Sequence, residues 1–213
     1  QLNRFADSVE KAMSAGVPLH RALLSEIKKL VVASKAIHFD GNGYSEQWKK
    51  EAAARGLDVE SSAPLMYDAY LRPESIDMFA RTGVFSKLEL EARNEVKWEM
   101  YTKKVQIEAR VLGDLAINHI LPAATRYQSV LLDNVFKIKQ LFTADKAGHI
   151  SAQDLLSIEQ MAEHMAIIRA EVDKMVDARR KANRIVSERE KAIAYHDTVV
   201  PCMETLRYHI DKL

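Results

Sequence analysis

The sequence predicts an all-α protein, a set of shorter N-terminal helices followed by a long antiparallel helical hairpin or bundle. Three observations carry the prediction. Apolar residues recur three or four positions apart over most of the chain; capping residues and Gly or Pro stops fall at the ends of those stretches; and strand-like alternation is confined to Lys35–Phe39. The pattern divides at Ser86: shorter helices with a Gly-rich turn at 40–43 occupy 1–86, and a long helical hairpin with a C-terminal helix occupies 87–213.

In chain order, Leu2, Phe5, Ala6, Val9 and Met13 give the first helix an apolar face, and Gly16 and Pro18 end it. A second helix starts near Pro18, with Leu19, Leu23, Ile27, Leu30 and Val31 as its apolar face. The glycines flanking Asn42 permit positive φ and a tight reversal. Ser45 then holds the N-cap position of a short helix, Glu46–Arg55, with Trp48 to bury and Gly56 as its C′ stop. Ser61, Ser62 and Pro64 open the next segment, Pro73 reopens it and Gly83 stops it, so Ala63–Thr82 reads as two short helices or one interrupted helix.

Ser86 and Glu89 form a capping box, in which the Ser side chain accepts from the third helical N–H and the Glu reaches back to the cap. The helix that follows runs from Lys87 to about Phe142, with Leu88, Val96, Met100, Val111, Leu115, Leu131, Val135, Ile138 and Phe142 as its apolar set. Pro122 removes a backbone donor and crowds the preceding turn, which predicts a kink near Asn118 rather than a stop. Thr143–Ile150 reads as a reversal at Gly148, after which Ser151 and Asp154 cap a final long helix. Leu155, Ile158, Ala162, Met165, Ile168, Val172, Met175 and Val176 are spaced as the inner stripe of an antiparallel bundle. Arms of about 45 residues would extend roughly 70 Å as a protruding hairpin, its far end interrupted or kinked at Val199-Val200-Pro201.

Composition narrows the function class. A chain of 213 residues with 47% hydrophobic content is long enough for a real core. Its 31 basic residues nearly cancel 30 acidic ones, leaving a net charge of +1, so no nucleic-acid partner is expected. Arg4, Asp7, Glu10 and Lys11 interrupt Leu2–Val17, which cannot serve as a secretory apolar core, and no run approaches the roughly 18 apolar residues of a membrane span. The single cysteine, Cys202, forms no intramolecular disulfide and fits a reducing compartment, the cytoplasm.

The stretch Ile37–Trp48, Ile-His-Phe-Asp-Gly-Asn-Gly-Tyr-Ser-Glu-Gln-Trp, resembles one in the type III glutamine synthetases. The resemblance continues in order. Glu51–Leu57 is similar to a Glu-Ala-x-x-Arg-Gly-Leu helix ending, Phe79–Ser86 to a Phe-x-x-x-Gly-Val-Phe-Ser/Thr element, and Tyr101–Ala109 to Tyr-x-Lys-x-Ile-x-Ile-Glu-Ala. Ile120–Ala123 matches Ile-Leu-Pro-Ala, and Tyr195–Leu206 resembles the last helix of the family. The resemblance implies a parent enzyme that joins ammonia to glutamate, driven by ATP through a γ-glutamyl phosphate, with Mg²⁺ or Mn²⁺, in a large ring-shaped oligomer. The family's catalytic motifs, carboxylates, Arg and His on a β-strand bowl, are not recognisable here, so no catalytic, cofactor or metal residue is assigned. Beginning on Gln1 and ending at Leu213, short of a Trp-Pro-rich closing segment, the chain reads as a C-terminal fragment cut at both ends. Such a fragment is expected to be inactive, with its own catalytic domain and sister subunits as partners.

Other constellations carry less. Asp40-Gly41-Asn42-Gly43 lacks the third glycine and lysine of a phosphate loop and reads as a tight turn. Thr143–Asp154 echoes a calcium loop but offers only Asp145 and Asp154 as carboxylates, with Ala147 at a ligand position. The seven histidines show no zinc spacing: His164 follows Glu163, and His196 and His209 have no ligand partner one turn away. Cys202 reads as a buried small residue, and Met161, Met165 and Met175 as core filling. Arg179-Arg180-Lys181 with Arg184, Arg189 and Lys191, interspersed with Asp173, Asp177, Glu188 and Glu190, reads as a solvated face with i,i+4 pairs. The alternative to a synthetase fragment is a free-standing helical protein–protein interaction module.

Overall fold

The computed structural model describes residues Leu2–Leu213, and among them there is no β-strand. Contacts divide the chain into two compact units, Gln1–Glu60 and Ser61–Leu213.

In the first unit, α1 (Leu2–Ser14) ends where Gly16 adopts φ +85°, and α2 (Leu19–Ala33) starts directly after Pro18. The stretch with strand-like alternation instead forms a 3₁₀ turn, Lys35–Ile37. The cause is local: the Ser34 hydroxyl donates to the Leu30 carbonyl at 2.9 Å, and the His38 N–H closes back onto Lys35, so the chain tightens out of the helix rather than extending. In α3 (Glu46–Ala54), Ser45 caps by accepting the Trp48 N–H at 3.1 Å, and Gly56 at φ +74° ends the helix, both as the sequence predicts. The buried side chains here are Val9, Ala22 and Ala52. Leu19, Ile27, Leu30 and Val31, read as the inward face of α2, are exposed, because the α1–α2 contact closes over Ala22 instead.

The second unit starts with α4 (Ala63–Met66), a 3₁₀ turn (Tyr67–Leu71) and α5 (Pro73–Arg81), stopped by Gly83 at φ +66°. These short elements, grouped by sequence with the N-terminal helices, pack on the long helix that follows. The buried Trp98 indole donates to the Pro64 carbonyl at 2.9 Å, and the buried Asn94 amide donates to the Tyr67 carbonyl at 2.6 Å. That long helix is α6 (Lys87–Leu115), with its capping box formed: Ser86 N–H to Glu89 is 2.8 Å and Glu89 N–H to the Ser86 hydroxyl is 3.3 Å.

Helix persists through Pro122 because α6 passes into a π turn, Ala116–Ile120, before α7 (Leu121–Leu141), which absorbs the crowding at Asn118 without stopping the chain. The same solution recurs before Pro201, where a π turn, Tyr195–Val199, joins α9 (Glu188–Ala194) to α10 (Val200–Ile210).

The expected reversal around Gly148 is wrong. The chain turns at Phe142 and Thr143, both extended, and α8 runs unbroken through Ala144–Ala182. Gly148 is an interior helical residue, and Ser151 is no cap: it is fully buried and its hydroxyl donates to the Ala147 carbonyl at 2.7 Å. A second break, between Asn183 and Ser187, was not read from the sequence, although Ser187 caps α9 by accepting the Glu190 N–H.

Against α8, Gln106 meets Asn183, Thr125 meets Met165, Gln128 meets Ile158 and Asn134 meets Asp154, so α6 and α7 run antiparallel to it. Of the predicted inner stripe, Met165, Ile168, Val172 and Met175 are buried with Val105, Ala109, Tyr195 and Leu206 in one core, while Ala162 is exposed and its neighbour Met161 takes the inward position. On α6, however, the apolar set read from the sequence faces outward. Val96, Met100, Val111 and Leu115 are exposed, while the buried face is Leu90, Asn94, Trp98, Thr102, Val105, Ala109 and Gly113. A methyl group added at Gly113 would come within 3.3 Å of Met175, so this face of α6 is selected for closeness as much as for apolarity.

Candidate functional site

The Gly-rich turn is held by a small aromatic cluster. Phe39 stacks on Trp48 with ring centroids 3.8 Å apart, and the Arg55 guanidinium lies 5.3 Å from the Trp48 ring while donating to the His38 carbonyl at 2.7 Å. Neither Gly41 nor Gly43 uses positive φ. Gly41 is required for another reason: a Cβ there would sit 2.5 Å from the Phe39 ring. The Tyr44 N–H is taken by the Asn42 side chain at 3.0 Å and the Ser45 N–H by the Asn42 carbonyl at 3.1 Å, so these two donors serve the turn itself rather than a phosphate. Tyr44 projects from its tip, 94% exposed.

The calcium-like stretch is helix, and Asp154 accepts from Asn134 at 2.7 Å. Among the described residues no three His, Cys, Asp or Glu side chains converge, so they do not fit a divalent ion. Two histidines without sequence spacing do meet: His164 of α8 and His209 of α10 approach Nδ1 to Nδ1 at 2.9 Å. Cys202 is buried, its thiol donates to the Thr198 carbonyl at 3.3 Å, and burial pushes its pKa up, which keeps it protonated and unreactive.

The basic run is partly solvated, with Arg180 paired to Asp177 and Lys191 to Glu188. Arg189 departs from that reading. It forms a bidentate pair with Asp68, 121 residues away, at 2.7 and 2.6 Å, and this hydrogen bonding raises its pKa further. No local signal announces such a partner.

One feature escaped sequence reading entirely, a groove of 790 Å³ between α6 and α10. Its walls are apolar, chiefly Ile107, Val111 and Leu115 on one side and Met203 and Tyr208 on the other. The outward stripe of α6 was the available signal. A second cleft, 720 Å³, lies over Cys202, with Lys174, Asp177, Lys181 and Asp197 in its lining. The α6–α10 groove and the cleft over Cys202 are candidate binding faces of the second unit.

Comparison with known proteins agrees with the turn and the helix signatures. The model of the glutamine synthetase C-terminal domain family matches residues 22–139, more than half of the chain. The chain belongs to this family. Relatives include a glutamine synthetase of Bacteroides fragilis, 42% identical over 213 residues, which is all of this chain and 29% of the relative. A glutamine synthetase of Butyrivibrio fibrisolvens is 28% identical over 214 residues, covering 100% of this chain and 30% of that protein. A type-3 glutamine synthetase of Dictyostelium discoideum is 27% identical over 187 residues, 88% of this chain and 25% of that protein. The chain therefore spans under a third of the length of these glutamine synthetases. Among the described residues no helix is long and apolar enough to cross a membrane.

Proposed function

We propose that this chain is the C-terminal helical region of a cytoplasmic glutamine synthetase that joins ammonia to glutamate with ATP and Mg²⁺ or Mn²⁺. The region itself does no chemistry. Its work is to pack against its own catalytic domain and against sister subunits, so that an oligomer assembles. The observation that carries the reading is the full-length match to glutamine synthetases in which this chain accounts for only 29% of the relative. The exposed apolar faces of α2 and α6 support the assembly role, since stripes of this kind mark surfaces that another surface covers.

The test begins with the reading frame flanking the chain in its source gene. If it encodes a synthetase catalytic region, the whole product should form glutamine from glutamate, ammonia and ATP, while the 213-residue chain alone should not. Removing residues 22–139 from the whole product should reduce its sedimentation coefficient below that expected for the lost mass. An intact oligomer after that deletion refutes the assembly role, and a frame that opens just before Gln1 refutes the synthetase reading.

A further inference from the structure

Two apolar faces of this chain lack a cover, and their charges are opposite. On α2, Leu24, Ile27 and Val31 follow i, i+3, i+7 spacing and are 68%, 49% and 63% exposed. On α6, Ile107, Val111 and Leu115 follow four-residue steps, are 61%, 52% and 43% exposed, and form one wall of the groove whose other wall is Met203 and Tyr208 of α10. Single exposed apolar side chains are ordinary, but two-turn stripes at helical spacing form a continuous apolar surface. The two surfaces also match in length: Leu24 to Val31 spans about 10 Å along a helix axis and Ile107 to Leu115 about 12 Å.

The charges beside them are unbalanced in opposite senses. On α2, Arg21, Lys28 and Lys29 face one acid, Glu26, which is already held by Lys29. Arg21 and Lys28, seven residues apart on one edge of the apolar stripe, have no ion pair among the described residues. The groove carries Glu108, Glu204 and Asp211 against Arg207, which Asp211 holds at 2.7 Å. Glu108 and Glu204 likewise have no ion pair among the described residues.

We propose that α2 of one copy docks into the α6–α10 groove of a second copy, burying Leu24, Ile27 and Val31 against Ile107, Val111 and Leu115 while Arg21 and Lys28 meet Glu108 and Glu204. The inference rests on the assembly role proposed above and names the surfaces that would perform it. It is a helix-in-groove contact in which the apolar stripe supplies affinity and the flanking charges set orientation and discriminate against wrong partners. Because the two surfaces differ, the contact is heterologous: every copy carries both halves, and repeated docking closes a ring when the rotation per step permits.

The experiment is sedimentation velocity on the 213-residue chain and on two variants, Val111→Glu in the groove and Ile27→Glu in α2, with far-UV circular dichroism to confirm unchanged helicity. Both positions are exposed, so neither substitution disturbs a core. The wild-type chain should self-associate, and each variant should weaken association at least about tenfold, the scale expected for a charge placed in the centre of an interface. An equimolar mixture of the two variants should then form a 1:1 complex, because one retains an intact α2 and the other an intact groove. A Glu108→Lys/Glu204→Lys variant should fail to self-associate and should pair with an Arg21→Glu/Lys28→Glu variant.

Association that survives both single substitutions overturns the docking and leaves the assembly role standing. Loss in both variants without rescue on mixing also overturns it, since a contact between like surfaces would behave that way. A monomeric wild-type chain overturns the docking. If that monomer still binds a separately produced catalytic region, the assembly role survives; if it binds neither, both readings fail.

Discussion

Gly148→Ala gives the sharpest discrimination between the sequence reading and the structure. If Gly148 turned the chain, alanine would be strained there and stability would fall. In the structure Gly148 is the fifth residue of α8, its φ is not positive, and nothing lies within 4 Å of an added Cβ. Alanine then gains the helix-propensity difference without a steric cost, because glycine in a helix interior loses more backbone freedom on folding. The expected gain is about 0.5–1 kcal/mol, which for a chain of this size raises Tm by roughly 1–4 °C. Urea unfolding followed by the 222 nm ellipticity measures it, with the midpoint rising at constant slope. Gly83→Ala serves as the opposite control: φ there is +66°, so the same substitution should destabilise by about 1 kcal/mol. A Gly148→Ala variant less stable than wild type would refute a continuous α8.

Three further outcomes follow from contacts described above. Gly41→Ala should push Phe39 off Trp48, change the tryptophan near-UV dichroism and cost about 1–3 kcal/mol in the first unit, whereas Gly43→Ala, with open space around its Cβ, should leave the spectrum unchanged. The Cys202 thiol should react with a thiol reagent only as fast as the second unit opens, so its labelling rate should rise with urea and be insensitive to pH changes that merely increase free thiolate; fast labelling in water would contradict its burial. Hydrogen bonding from the Ser86 N–H holds the Glu89 carboxyl below its ordinary value of 4.5, so the capping box contributes stability above that value that is lost as pH falls through the lower folded value. The acid-side fall of the urea midpoint should therefore be shallower in Glu89→Gln than in wild type, and identical profiles would show that the box contributes nothing.

What the sequence makes legible here is what neighbouring residues decide among themselves. The caps at Ser45 and Ser86 and the stops at Gly16, Gly56 and Gly83 each act within one or two turns, and each is found where the sequence places it. The Ser187–Glu190 cap of α9 was legible by the same logic and went unread inside a charged run that suggested continuous helix. The family signature lies in the same local class, since the turn around Asn42 is specified by Asn42, Ser45, Phe39 and Trp48.

The sequence by itself determined an all-α chain, most helix ends and the family, because hydrogen bonding along a helix and at its caps is local. Only the tertiary structure decided which face of each helix is covered. On α6 both faces are apolar enough to bury; the one chosen contains Asn94, Thr102, Ala109 and Gly113, because Asn94 finds the Tyr67 carbonyl and Gly113 lets α8 approach. The outward stripes of α2 and α6, the Arg189–Asp68 pair and the α6–α10 groove depend on residues far apart in sequence. Periodicity specifies that a face is apolar, but what lies opposite it is set by packing between distant segments, which no local pattern encodes.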